Sequence, residues 1–308
     1  MTPKFIMMVG LPASGKSTKA QKFAEEYDAT IFSSDALREE LFGNVNNQDN
    51  NQEVFVELHR RIKDCLRSGK SAIYDATNIN YKRRMVFLEE LKNISCEKIC
   101  VLMATPYEEC LKRNSERERK VPEHVIKRMY MSFNIPYWYE GWDHIEIEYS
   151  EGSQDSYGMV NKWLDTVMHY NQENHHHKLS LGEHMRSATA YMRNKLCLTT
   201  FKNDITLIGA TLLHDCGKPF CKTFINSHGE TTSEAHYYSH QYCGAYNSLF
   251  FEYLDGFVEH LDIAIRIMWH MQPYFNKEEK SENKYRKLWG EDLYNDIMKL
   301  HEADLAAH

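Results

Sequence analysis

Hydrophobic and polar positions along the chain follow two different rhythms. In residues 1–150, short apolar runs at Phe5–Val9, Thr30–Phe32, Ala72–Tyr74, Ile99–Met103 and Ile145–Tyr149 alternate with longer stretches of helical spacing. That alternation predicts a parallel sheet with helices on both faces. After Tyr149 the rhythm changes: Glu151–Ser156 is a polar break, Met159–Tyr170 has helical spacing and Gln172–His177 reads as a linker. A domain boundary is therefore expected near residue 172, giving domains of 1–172 and 173–308. In the second, Ser180-Leu181-Gly182-Glu183 is a capping box that opens a helix carrying His184. A helix over Asp204–His214 is stopped by Gly217 and Pro219, and Asn226–Gly229 reads as a turn. Further helices are expected over Gln241–Leu254, Val258–Met271 and Glu291–Ala307, so this domain should be all-α.

Composition sharpens the division. Of 308 residues, 42% are hydrophobic and 26% charged, an ordinary globular balance. The net charge of −7 announces no general affinity for polyanions, but it is uneven. Residues 1–150 carry 22 basic and 23 acidic groups, and the remainder carries most of the excess acid. Thirteen of the 16 histidines also lie after residue 150. The eight cysteines form no CxxC pair and no secretory signal is evident, which suggests a reducing, cytoplasmic setting. No apolar run approaches the roughly 18 residues of a membrane helix.

The strongest motif is Gly10-Leu11-Pro12-Ala13-Ser14-Gly15-Lys16-Ser17, between a strand and a helix. Its glycines let backbone N–H groups wrap phosphate oxygens at a helix N-terminus, which points to a nucleoside triphosphate. Lys16 should reach the β- and γ-phosphates, Ser17 should ligate Mg²⁺, and Gly10, Ser14, Gly15 and Thr18 complete the cradle. Ser33-Ser34-Asp35-Ala36-Leu37-Arg38 follows the second strand, where ligands of such sheets sit. Asp35 is either a helix N-cap or a general base for an attacking hydroxyl, with Arg38 clamping a phosphate. Asp75-Ala76-Thr77-Asn78-Ile79-Asn80 should reach the same edge. Asp75, Thr77 and Asn78 could hold the acceptor or a water on the metal, or the segment could be a turn and N-cap. Lys82-Arg83-Arg84 could touch a polynucleotide backbone or be solvated. Tyr137-Trp138-Tyr139 and Trp142 could stack a base or pack in the core.

These motifs, with Lys112-Arg113-Asn114-Ser115 leading to Lys120-Val121-Pro122, resemble in order the phage-type 5′-OH polynucleotide kinase domain over about residues 4–150. The resemblance implies an α/β P-loop kinase using ATP and Mg²⁺, with Asp35 as general base and Arg38 beside the acceptor phosphate. It places Arg113 and Arg117 in a lid over the transferring phosphate. In Glu116-Arg117-Glu118-Arg119-Lys120, either Arg117 or Arg119 is the reaching arginine. It also allows a phage-encoded protein acting in a bacterial host.

In the second half, His184, His214-Asp215, His240, His270 and Asp304 are too widely spaced for a zinc finger, but four helices and a loop could gather them. Gly182-Glu183-His184-Met185, Leu212-Leu213-His214-Asp215-Cys216-Gly217-Lys218-Pro219 and Glu302-Ala303-Asp304 resemble the H…HD…D pattern of HD-domain phosphohydrolases. His240 and His270 resemble the added histidines of HD domains attached to bacterial tRNA nucleotidyltransferases. The resemblance implies one metal on His184, His214, Asp215 and Asp304, a second on His240 and His270, and Lys218 near a substrate phosphate. Mixed imidazole and carboxylate ligands suit Mn²⁺, Co²⁺, Ni²⁺ or Zn²⁺.

Together the two resemblances suggest a bifunctional end-healing enzyme. It would phosphorylate 5′-OH ends of RNA or DNA and remove a 3′-phosphate or open a 2′,3′-cyclic phosphate, leaving ends for a separate ligase. The alternatives are a nucleoside or modified-base kinase fused to an HD nucleotidase, and a kinase carrying a non-catalytic metal-binding HD module.

Overall fold

A computed structural model of the chain describes residues 2–46, 49–153, 156–174, 178–195, 202–253, 259–275 and 279–307. The His175-His176-His177 run, Gln154 and Asp155 of the polar break, and the expected helix ends at Leu254 and Val258 lie outside the described residues. The chain divides into two compact units, one of residues 1–126 and 136–150, the other of 127–135 and 151–308.

In the first unit, β1 (Lys4–Val9), β2 (Ala29–Ser33), β3 (Ser71–Asp75), β4 (Glu97–Ala104) and β5 (His144–Tyr149) form one parallel sheet in the order β2-β3-β1-β4-β5. All five expected strands are present. Helices α1 (Lys16–Tyr27), α2 (Ser34–Phe42), α3 (Asn51–Arg67), α4 (Tyr81–Glu90) and α5 (Tyr107–Glu116) connect them. Alternate residues of β1 serve opposite faces. Ile6 and Met8 join Ala20 and Phe23 of α1, with Ile73, Val101 and Met103. Phe5 instead meets Phe87 of α4 and stacks on Trp142. In register, Met8 and Ser33 both stand beside Asp75, so the loops after β1, β2 and β3 emerge together. Ligands of open parallel sheets bind at that edge.

The second unit begins within α6 (Glu123–Tyr130) and contains α7 (Val160–Thr166), α8 (Leu181–Lys195), α9 (Lys202–Leu213), α10 (Lys218–Cys221), the antiparallel hairpin β6 (Thr223–Ile225) and β7 (Thr231–His236), α11 (His240–Ser248), α12 (His260–Trp269), α13 (Gln272–Phe275) and α14 (Glu279–Ala306). Helix α14 is broken at Gly290, where φ is 74°. The capping box forms as read: the Ser180 amide donates to Glu183, and the Glu183 amide to the Ser180 hydroxyl.

The boundary differs from residue 172. Residues 151–172 belong to the second unit because Val160 N–H donates to Glu252 O, Gly182 N–H to Val167 O and Leu181 N–H to Tyr170 O. The segment 127–135 joins it too, with the Tyr130 hydroxyl on Asn247 and Phe133 against Tyr246. Among the described residues, no helix is long and apolar enough to cross a membrane.

Candidate active sites

The loop after β1 turns back on itself through Ala13 (φ 64°) and Gly15 (φ 92°), left-handed positions that glycine takes without strain. A Cβ on Gly10 would stand 2.6 Å from the Ser14 hydroxyl, so the first turn also needs glycine. Lys16 is buried inside the loop, and its ammonium donates to Gly10 O at 3.1 Å and Leu11 O at 2.6 Å. Burial lowers Lys16 to about 8, against the pull of Asp75. The Ser17 hydroxyl donates to Asp75 Oδ2 at 2.8 Å. A loop serine beside a carboxylate at the end of a neighbouring strand is the donor set of a P-loop Mg²⁺ site, so Asp75 fits the metal better than the acceptor. Thr18 is exposed on the first turn of α1. Arg113 bonds Glu109 and lies on the Gly15 side of the loop.

The N-cap of α2 is Ser33, whose hydroxyl accepts from Ala36 N–H. Asp35 is thus relieved of capping, the bland role open to it in the sequence. Its carboxylate lies between two guanidinium groups, Arg38 Nη1 at 2.9 Å from Oδ1 and Arg119 Nη1 at 2.6 Å from Oδ2. Arg38 is anchored by Asn51, and Arg119 also reaches Asn46. Arg117 and Asp35 both lie close enough to Lys16 for their charges to act on it. Of the two candidate lid arginines, Arg119 is the one that pairs with Asp35.

The loop after β3 largely serves the scaffold. Gly10 N–H donates to Thr77 O, and Asn78, at φ 47°, donates from its side chain to Met8 O. Asn80 caps α4. Arg84 is buried, bonded to Glu140 at 2.6 and 2.7 Å and to Asn78 O at 2.9 Å, so it braces this loop rather than a polynucleotide. Tyr137 and Trp142 are core residues, whereas Trp138 and Tyr139 are exposed. Thr105, which carries no motif, holds Ser14 O from β4's end.

In the second unit all six expected ligands converge, buried, from α8, the α9–α10 turn, α11, α12 and α14. Two groups form: His184, His214 and Asp304, and Asp215, His240 and His270. Imidazole Nδ1–H groups donate to backbone carbonyls: His214 to Thr211 O (2.7 Å), His240 to Tyr237 O (2.8 Å), His270 to Ile267 O (2.7 Å) and, at 3.5 Å, His184 to Ala307 O. Each ring thereby turns Nε2 inward as a lone pair. His184 and His214 Nε2 stand 3.1 Å apart, as do His184 Nε2 and Asp304 Oδ1. His214 Nε2 is 3.4 Å from the same oxygen. Ligands at about 2.1 Å from one ion stand about 3.0 Å apart at a right angle and about 3.4 Å apart tetrahedrally. Facing lone pairs at that spacing call for a shared proton or a cation, so the donor set fits a metal.

Asp215 links the groups, with Oδ1 3.1 Å from His240 Nε2 and Oδ2 3.5 Å from both His184 and His214. Burial opposes its charge, but Lys218, at 2.6 Å, and the imidazoles hold it well below the carboxylate range. Burial likewise opposes charging His214, yet Asp215 and Asp304 push it up to about 9. Burial, with His240 and His214 alongside, lowers His270 to about 3 and leaves it neutral. Gly217 makes the gathering possible, since a Cβ there would lie 2.0 Å from His240 O. Sequence reasoning missed two supporting residues. Gln172, buried in the supposed linker, accepts from Lys218 at 2.8 Å, and Tyr274 donates to Asp304 Oδ2 at 2.8 Å. Neither lies in a motif, and each is recognisable only by its place in the fold.

Residues 5–136, less than half the chain, match the family described as AAA domain. The first unit has a P-loop kinase fold. The chain is similar to the L-seryl-tRNA(Sec) kinase of Methanococcus maripaludis, with 28% identity over 172 residues, which are 54% of this chain and 66% of that protein. The match therefore spans just under two thirds of that relative. Among solved structures it is similar to a chain of the Pnkp1/Rnl/Hen1 RNA repair complex, with 21% identity and TM-score 0.36 over 41% of this chain and 42% of that one. It is also similar to a gluconokinase from Sinorhizobium meliloti, with 15% identity and TM-score 0.37 over 49% and 84%. ATP with Mg²⁺ is what a domain with such a phosphate loop is expected to use.

Proposed function

We propose that the protein heals nucleic-acid ends, phosphorylating a 5′-hydroxyl through its first unit and removing a 3′-phosphate, or opening a 2′,3′-cyclic phosphate, through its second. The observation that carries this reading is the coexistence in one chain of a P-loop faced by the Asp35–Arg38 corner and a closed cluster of four imidazoles and two carboxylates.

In the kinase unit, the loop amides and Lys16 hold the triphosphate, Ser17 and Asp75 hold Mg²⁺, and Arg113 and Arg117 offset charge on the transferring phosphoryl group. The acceptor oxygen attacks the γ-phosphorus, the bond to the β–γ bridging oxygen breaks, and the hydroxyl proton passes to Asp35. Both Asp35 oxygens are paired, so the acceptor must displace Arg119, the more exposed partner, while Arg38 keeps the carboxylate aimed.

In the second unit, His184, His214, Asp215 and Asp304 would hold one divalent ion, and Asp215, His240 and His270 a second. Such ions supply Lewis acidity and a nucleophile at neutral pH. The chain's own groups do the positioning: carbonyl anchors fix the rings, Tyr274 fixes Asp304, and Lys218, steadied by Gln172, offers charge to a phosphate oxygen. An RNA or DNA strand is the partner in this reading, and a separate ligase would join the healed ends.

The kinase half is tested by incubating a 5′-OH oligonucleotide with γ-labelled ATP. Label should enter the strand with the wild type and fall by about 10²–10⁴-fold with Asp35→Ala. An unlabelled strand, or an unaffected variant, rejects the reading. The resemblance to an L-seryl-tRNA kinase supports a second reading, in which the acceptor hydroxyl is carried on a charged tRNA. Preferential labelling of seryl-tRNA over a 5′-OH oligonucleotide would select it.

A further inference from the structure

Beside the His/Asp cluster lies a pocket of about 670 Å³ whose lining includes Asp215, Lys218, His240 and Asp304. A phosphoryl group would fill a small part of it, since pockets of ~300–1,000 Å³ hold whole drug-sized ligands. Half of the other lining residues are aromatic. His236, at the end of β7, and Tyr238, two residues on, stack with ring centroids 5.4 Å apart and planes within 10°. His236 is fixed by a bond between its Nε2 and the Thr232 hydroxyl at 3.0 Å. Tyr238 is 44% exposed, and Phe275, after Tyr274 on α13, is 66% exposed.

A partly exposed aromatic ring lining a pocket beside phosphate-binding groups is what a flat heterocycle stacks on. We propose that the His236–Tyr238 stack is a platform for the base of a nucleotide whose phosphate faces Lys218 and the His/Asp cluster. Gln241 lines the same pocket and brings an amide able to pair with a base edge. The inference rests on the phosphohydrolase reading and extends it: the second unit acts on a terminal nucleotide whose base it holds, not on a phosphate ester at large. Stacking tolerates any base, so the platform selects nucleotides without selecting sequence.

The test uses the whole protein and two phosphate esters, uridine 3′-monophosphate and base-free glycerol 2-phosphate. With Mn²⁺ present, Tyr238→Ala should raise KM for the nucleotide about ten-fold or more, leaving its kcat and both constants for glycerol phosphate within about two-fold. Tyr238→Phe keeps the ring face and should restore wild-type KM. Independently of turnover, saturation transfer from EDTA-treated protein to the uracil protons should drop in Tyr238→Ala and persist in Tyr238→Phe. Unchanged nucleotide KM and unchanged saturation transfer in Tyr238→Ala, or equal loss for both esters, would overturn the platform. If neither ester is hydrolysed while Tyr238-dependent saturation transfer remains, the phosphohydrolase reading fails and the platform stands. Hydrolysis of both esters without any effect of Tyr238→Ala reverses that outcome.

Discussion

The two sites are built on opposite plans. The phosphate loop is eight consecutive residues that present backbone to a ligand, and around it Ser17 and Asp35 are exposed and Arg119 partly so, while Lys16, Arg38 and Asp75 are buried. The His/Asp cluster draws six side chains from five places across 121 residues, and every one is buried. A site with exposed side chains at its mouth meets its substrate's charge directly and can rearrange there, as Arg119 must to release Asp35. A buried site must neutralise its own charges within the fold, and for that reason Asp215 is held by Lys218 and the surrounding imidazoles. Disturbing the first should alter rates and spare stability, whereas disturbing the second should alter both.

The largest expected effect is therefore at Asp215. Asp215→Ala leaves Lys218 buried without its carboxylate and should cost about 3–5 kcal/mol of stability in the second unit. Denaturant unfolding monitored by tryptophan fluorescence would measure it, and unchanged stability would break the comparison. Next is Gly217→Ala, whose Cβ would meet His240 O at 2.0 Å and Gly244 N at 2.6 Å, both backbone atoms. A cost of about 1–3 kcal/mol is expected, with weaker Mn²⁺ binding. Gly209→Ala is the control, because its Cβ meets only the Ile263 side chain.

In the first unit, ATP affinity should fall as pH rises through about 8. Burial lowers Lys16 below its ordinary 10.5, so the loop holds a full positive charge only below that point. An affinity constant to pH 10 would contradict it. The smallest effect belongs to Arg119→Ala. Its pair with Asp35 joins two exposed side chains and contributes ~0–1 kcal/mol, so stability should hold and acceptor KM should move only a few-fold.

The same difference in plan explains how much was legible beforehand. The P-loop, the five strands and the capping box are local patterns, and each stands where its residues placed it. The six cluster residues were recognisable as a set through the motifs that carry them, which resemble the H…HD…D pattern and its added histidines. The boundary was not legible, since residues 151–172 owe their allegiance to Glu252 and to the start of α8, partners remote in sequence. Gln172 and Tyr274 escaped for the same reason, and the apparent roles of Asn78 and Arg84 shifted because their polar groups are used by Met8, Asn78 and Glu140 inside the fold.

The central claim is that one chain carries two separable phosphoryl chemistries for the two ends of a strand. It is tested most directly by end analysis of one RNA bearing a 5′-OH and a 3′-phosphate, incubated with ATP, Mg²⁺ and Mn²⁺ and either the wild type, Asp35→Ala or Asp215→Ala. The account predicts that the wild type changes both ends, that Asp35→Ala changes only the 3′ end, and that Asp215→Ala changes only the 5′ end. A strand left intact at both ends by the wild type, or an Asp35→Ala protein that still phosphorylates the 5′ end at the wild-type rate, would contradict it.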